Sequence, residues 1–142
     1  MGKVHSQVTI SRPAEAVYQF LLDLDQNAGE PGTLSVDKEP AGPTVAGTTF
    51  RMHHDKGRET SMVYTALEPN RRIEFEGHVG PLRPKGAFVI SADAGGTELS
   101  ADIEPNPQGA LKVASPIVNL IGKRVWDKRL ARMKAKLEAP SA

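Results

Sequence analysis

The sequence predicts an α+β fold: a curved, seven-stranded antiparallel sheet wrapped around one long C-terminal helix, with one or two short helices between the first and second strands. Three observations predict it. Val4, Ser6, Val8 and Ile10 alternate with His5, Gln7 and Thr9, the period-two pattern of a strand with one buried face. From Thr33 to Glu104 the chain carries only alternating runs separated by turn residues. After Pro105-Asn106-Pro107-Gln108-Gly109 the apolar period changes to that of a helix, and it stays so to Leu137.

Each element follows from local signals. Ser11-Arg12-Pro13-Ala14-Glu15 reads as a helix start, with Ser11 as cap, proline in the first turn and an early glutamate at the positive helix end. Ala14, Val17, Tyr18, Leu21 and Leu22 follow at helical spacing, so this helix should reach about Asp23. Asn27, Gly29, Pro31 and Gly32 then break the pattern and leave room for at most one more helical turn.

In the strand region, Leu34 to Lys38 alternates, and Phe50, Met52 and His54 share one side of the next run. Lys56-Gly57 turns the chain into Arg58–Leu67, whose apolar side carries Met62 and Tyr64. Ile73 and Phe75, then Phe88 and Ile90, then Leu99, Ala101 and Ile103 mark three further strands, with Gly95-Gly96 a hairpin tip. Gly80-Pro81-Leu82-Arg83-Pro84 is a longer loop.

The C-terminal helical segment carries two apolar stripes: Ala114, Ile117, Val118, Ile121 and Val125, then Trp126, Leu130, Met133 and Leu137. At about 100° per residue their directions differ by about 130°. Either the helix bends near Pro116 and Gly122, or it begins at Ser115-Pro116.

Composition narrows the function. The chain has 142 residues, 25% of them charged and 39% hydrophobic, as expected of a single domain spanning 1–142 with residues 139–142 a frayed tail. There is no cysteine, which removes disulfides, thiol nucleophiles and thiolate metal sites. Apolar runs such as Phe20-Leu21-Leu22 fall far short of the roughly 20 residues that cross a bilayer, and the first residues carry no signal-peptide core. A cytoplasmic protein without stable membrane insertion is expected. Charge is uneven: between Gly109 and Glu138 eight basic residues face two acidic ones, while the net charge of the whole chain is +1. Such a basic helix suits a solvated surface or an anionic partner. Among its positive charges it has no aromatic platform beyond Trp126, so nucleic acid is not an expected partner.

Several strings resemble a known superfamily. Val8-Thr9-Ile10-Ser11-Arg12-Pro13-Ala14-Glu15-Ala16-Val17-Tyr18-Gln19-Phe20-Leu21 is similar to its opening strand and helix. Val45-Ala46-Gly47-Thr48-Thr49-Phe50, Leu67-Glu68-Pro69-Asn70-Arg71-Arg72-Ile73-Glu74-Phe75 and Gly95-Gly96-Thr97-Glu98-Leu99 are similar to its strand and turn strings. The chain thus resembles the START-like helix-grip superfamily, in its polyketide cyclase/dehydrase and lipid-transport (SRPBCC) branch. It departs in having Gln26-Asn27-Ala28-Gly29-Glu30-Pro31-Gly32 where relatives often carry a tryptophan-containing segment. The resemblance implies a hydrophobic-ligand cavity and leaves open whether any reaction occurs, because the fold hosts carriers, sensors and enzymes.

The residue pattern leads to the same cavity. Seven aromatic residues are few to fill the space between a curved sheet and a helix, and glycines and alanines recur along the strands. The expected sheet side comprises Phe50, Met52, His54, Met62, Tyr64, Phe75, Phe88 and Ile90, and the expected helix side Val118, Ile121 and Val125. The expected ligand is small and largely hydrophobic, lipid- or polyketide-like. A second reading is an aromatase/cyclase or dehydrase in which His54 or Tyr64 moves a proton. A third is a non-catalytic interaction module that uses the basic helix. No cofactor is expected. His53-His54-Asp55 is a poor metal site, since adjacent strand residues face opposite sides, and no phosphate loop or nucleophile elbow is present.

Overall fold

The computed structural model describes residues 3–22, 33–40, 42–109 and 115–139. Its elements run β1 (Val4–Ile10), α1 (Ala14–Leu22), β2 (Thr33–Glu39), β3 (Thr49–His54), a 3-10 turn (Asp55–Gly57), β4 (Glu59–Glu68), β5 (Arg72–His78), β6 (Lys85–Asp93), β7 (Gly96–Glu104) and α2 (Ser115–Glu138). The seven strands form one curved antiparallel sheet in the order β1-β7-β6-β5-β4-β3-β2. Each strand from β2 to β6 pairs with its successor, and β1 closes on β7, so the sequence-predicted meander holds. The breaker cluster expected to allow a second short helix falls outside the described residues, as do Ala114 and the last three residues of the expected tail.

The strand register explains how the inner face is built. Tyr64 pairs with Phe75, Phe75 with Gly86, Gly86 with Ile103 and Ile103 with Val4, giving a row of side chains across five strands. Gly86 sits in this row because nothing larger fits: a Cβ there would lie 2.2 Å from the Asp102 carbonyl oxygen and 3.0 Å from the Ile103 Cα.

α1 begins at Ala14, with the Pro13 carbonyl accepting the Val17 N–H at 3.2 Å. The Ser11 N–H donates to Glu138 Oε2 of α2 at 2.7 Å, tying the approach to α1 to the end of α2. α1 buries Val17, Tyr18 and Leu21 against the sheet.

α2 begins at Ser115, so Pro116 occupies a first-turn position where its missing N–H costs nothing. Its 24 residues span about 36 Å. The two apolar stripes have different fates. Trp126, Leu130 and Leu137 of the second stripe are buried, whereas Ile117, Ile121 and Val125 of the first are exposed. The helix therefore packs into the core mainly from Trp126 onward.

Polar contacts run from α2 to β1 and the turn after it. Ser6 Oγ donates to Asp127 Oδ1 at 2.5 Å, and Lys123 Nζ donates to the same carboxylate. Lys134 Nζ donates to the Thr9 carbonyl at 2.6 Å and pairs with Glu138 at 2.8 Å. Arg12 Nη1 donates to the Leu137 carbonyl at 2.9 Å, satisfying one of the orphan acceptors of the helix end. The Ser6 hydroxyl, then Lys123, hold the Asp127 carboxyl below its ordinary value. Lys134, then the Ser11 N–H, do the same for Glu138.

Two predictions follow from this packing. Gly86→Ala should destabilise the fold by about 1–3 kcal/mol or more in urea titrations. Gly95→Ala, where a Cβ would meet open space, should stay within about 0.5 kcal/mol of the parent. Because both carboxyls are lowered in the folded state, the stability they contribute is complete above their ordinary values of 3.8 and 4.5. It is lost as the pH falls through the lowered values. Thermal melts from pH 6 to 2 should show this acid limb, and Asp127→Asn with Glu138→Gln should flatten it.

Candidate functional site

Toward its N-terminus α2 passes beside Val4 of β1, and a cleft of about 750 Å³ lies between the helix and the strands beyond. Its floor is formed by Met52, Met62, Phe75 and Gly77. Gly77 pairs with Met62 at the point where the inner row would otherwise place a side chain, and a Cβ there would lie 2.8 Å from the Ser61 carbonyl oxygen. Val4 and Ile103 close the β1–β7 side, each only 2% exposed. On the helix side the wall is Val118, Ile121, Gly122, Val125, Trp126 and Arg129.

The inner end of the cleft is a wall of rings. Trp126 stacks on Phe75 with centroids 6.1 Å apart and meets Phe88 edge-on at 5.7 Å, while Phe75 and Phe88 lie 5.1 Å apart. The Arg129 guanidinium sits 5.0 Å from the centroid of Trp126, a cation–π arrangement that holds its charge at the edge of the cleft.

One lip of the opening is the loop between β5 and β6, which contributes Val79, Pro81, Leu82 and Pro84. This loop is braced. Val79 and Leu82 exchange backbone hydrogen bonds at 3.1 and 2.9 Å, Gln108 N–H donates to the Pro81 carbonyl at 2.9 Å, and Arg83 Nη1 donates to the Gly80 and Leu82 carbonyls. The facing lip is α2, where Ile121 and Val125 are 55% and 42% exposed.

Polar wall groups gather where β3 ends and β4 begins: His54, Arg58, Glu59, Thr60 and Ser61. His54 Nε2 lies 2.8 Å from Thr60 Oγ1, while His53 Nε2 lies 2.8 Å from Asp37 Oδ2. The two histidines thus serve different partners, as their positions on opposite strand faces require.

Of the residues expected to contact a ligand, Met52, His54, Met62, Phe75, Val118, Ile121 and Val125 come together on this wall. Phe50, Tyr64, Phe88 and Ile90 stand apart from it in the packed core, between 0% and 5% exposed. They share the inner face, but α1 and the C-terminal half of α2 cover that part of the sheet. The Tyr64 hydroxyl donates to the Leu21 carbonyl of α1 at 2.7 Å. Sequence reasoning missed Val4, Ile103, Trp126, Arg129 and the 79–84 lip. Alternation marks Val4 and Ile103 as inward-facing but not which inward residues stay uncovered. Pro81-Leu82-Arg83-Pro84, a leucine between two stiff prolines, was the one available signal for the lip.

A curved antiparallel sheet gripping a C-terminal helix, with a half-covered inner face, defines the helix-grip class. A family profile described as polyketide cyclase / dehydrase and lipid transport matches residues 1–138, and the chain belongs to this family. Solved structures agree on the fold. The protein MLL2253 of Mesorhizobium loti is 16% identical with a TM-score of 0.75, over 99% of this chain and 100% of that one. BexL, a di-domain ARO/CYC from the BE-7585A biosynthetic pathway, is 22% identical with a TM-score of 0.75, over 99% of this chain and 51% of that one. The Aha1 dimer of Colwellia psychrerythraea is 18% identical with a TM-score of 0.70, over the full length of both chains. No curated protein matches the sequence.

The position of Tyr64 gives a test. Tyr64→Phe should cost about 1–2 kcal/mol of stability by leaving the Leu21 carbonyl without its buried donor. An apolar fluorescent probe should bind the variant as it binds the parent, in a titration below the melting transition.

Proposed function

We propose that this protein binds a small, largely hydrophobic molecule in the cleft between the sheet and the N-terminal half of α2. The observation that carries the reading is the cleft itself. Its 750 Å³ falls within the roughly 300–1,000 Å³ of small-molecule sites, and apolar side chains make up most of its wall. Removal of apolar ligand surface from water, at about 25 cal/mol per Å², supplies the driving force. The polar group at the β3–β4 end, with His54 and Thr60 hydrogen-bonded to each other, supplies direction: a ligand with one polar end would place that end there. Membership of a family described by cyclisation, dehydration and lipid transport supports the same reading. A lipid- or polyketide-like molecule handled in the cytoplasm fits these features.

A catalytic variant of this reading is favoured by one observation, the presence of His54 on the cleft wall. Its imidazole could exchange a proton with an enolisable ligand whose polar end lies beside it. Tyr64 offers no comparable route, since its hydroxyl is spent on the Leu21 carbonyl.

Titration with 11-(dansylamino)undecanoic acid tests the binding. Saturable fluorescence enhancement at one site per chain is expected. Met62→Trp, which fills the floor, should weaken it about tenfold or more. Absence of enhancement, or equal binding by the filled variant, refutes the proposal. If the protein also turns over a polyketone, His54→Ala should abolish turnover while the melting temperature stays that of the parent.

A further inference from the structure

The outer face of α2 combines an exposed apolar cluster with basic residues, and of these only Ile121 also lines the cleft. Ile117, Leu120 and Ile121 are 61%, 56% and 55% exposed. Arg124 lies three and four residues beyond Ile121 and Leu120, and Lys128 four beyond Arg124, so both share this face, and both are exposed. Neither Arg124 nor Lys128 is held in an ion pair among the described residues, unlike Lys123 with Asp127 and Lys134 with Glu138. Opposite this face lie Trp126, Leu130 and Leu137, which fix the helix to the sheet. The outer face is therefore held out by the packing of the inner one.

We propose that this face docks the protein on an anionic lipid surface, with the opening of the cleft against the bilayer. Three large aliphatic side chains beside two cations are the arrangement that binds an interface, the apolar groups entering the acyl boundary and the cations meeting headgroup phosphates. The helix as a whole carries seven basic residues and two acidic ones, which draws it to a negative surface before contact. The same charge opposes a second copy as occupant. A twofold pairing would set the patch against itself, and Arg124 and Lys128 would face their own mates.

The patch is also continuous with the cleft. Ile121 belongs to both, and Val125, 42% exposed, lies one turn further along the same lip. Across the opening stands Val79, 40% exposed, on the braced 79–84 loop. A protein seated on Ile117, Leu120 and Ile121 would present both lips to the membrane, so an apolar guest could pass between bilayer and cleft without crossing water. That last step rests on the ligand-binding reading; the docking does not. Nor does docking require insertion, since no helix among the described residues is long and apolar enough to cross a membrane.

Vesicle flotation tests the proposal, with equal parts phosphatidylglycerol and phosphatidylcholine against phosphatidylcholine alone. The parent should float with the anionic vesicles at low salt, lose much of this binding at high salt, and ignore the zwitterionic ones. The double variant Ile117→Ser/Leu120→Ser and the single variant Arg124→Glu should each lower partitioning about tenfold. All three positions lie outside the cleft wall and are exposed, so the melting temperature and the binding of 11-(dansylamino)undecanoic acid should match the parent. Failure of the parent to float with anionic vesicles overturns the proposal, as does equal flotation by the variants. So does a dimer that the double variant dissociates while vesicles are ignored, which would make a second copy the occupant. Vesicle binding by a parent that binds no probe would uphold the docking and remove the ligand-binding reading alone.

Discussion

The contact of Trp126 with Phe75 and Phe88 is the constraint on which the rest of the molecule depends. Three rings with centroids 5.1 to 6.1 Å apart join the middle of α2 to β5 and β6. Such ring pairs contribute about 0.5–1.5 kcal/mol each beyond the area they bury. Their placement matters more than their strength. Phe75 and Trp126 show one side to the core and the other to the cleft. Toward the C-terminus of α2 the space is packed with Leu130 and Leu137; toward the N-terminus it is hollow. The rings are the partition between a part of the molecule that holds the fold and a part that is left open.

Polar chemistry reinforces the division. The contacts that tie α2 to β1 and the Ser11-Arg12 turn all come from Lys123 onward, through Asp127, Lys134, Leu137 and Glu138. Before Lys123 the helix offers mainly apolar side chains, some to the cleft and some to solvent. One helix thus does two jobs along its length, and one continuous sheet serves both because α1 covers only part of its inner face. The braced 79–84 loop gives the opening a rigid lip, so the cleft is a property of the backbone and not of side chains that happen to lie apart.

Some of this was legible from residues alone. Alternation in Val4–Ile10, in the runs around Phe50, Met62 and Phe75, and in Leu99–Ile103 specified strands and inward faces, because a strand's side-chain period is two. The change of period after Gly109 specified the C-terminal helix. The two stripes of α2 were visible as well, but their meaning was not. Read as directions on one surface, they suggested a bend. In the structure they reflect two environments, a packed core for Trp126, Leu130 and Leu137 and an uncovered region for Ile117, Ile121 and Val125.

The sequence by itself determined which side chains face inward, the order of the elements and the family to which the chain belongs, since these rest on local periodicity and short strings. Tertiary structure alone decided which inward residues are walls and which are filling. Phe50 and Met52 have the same parity on the same strand, yet one is fully buried and the other lines the cleft. What separates them is the cover supplied from distant parts of the chain, α1 over Tyr64 and Trp126 over Phe88. No local pattern encodes where such a cover ends, because packing joins residues far apart in sequence.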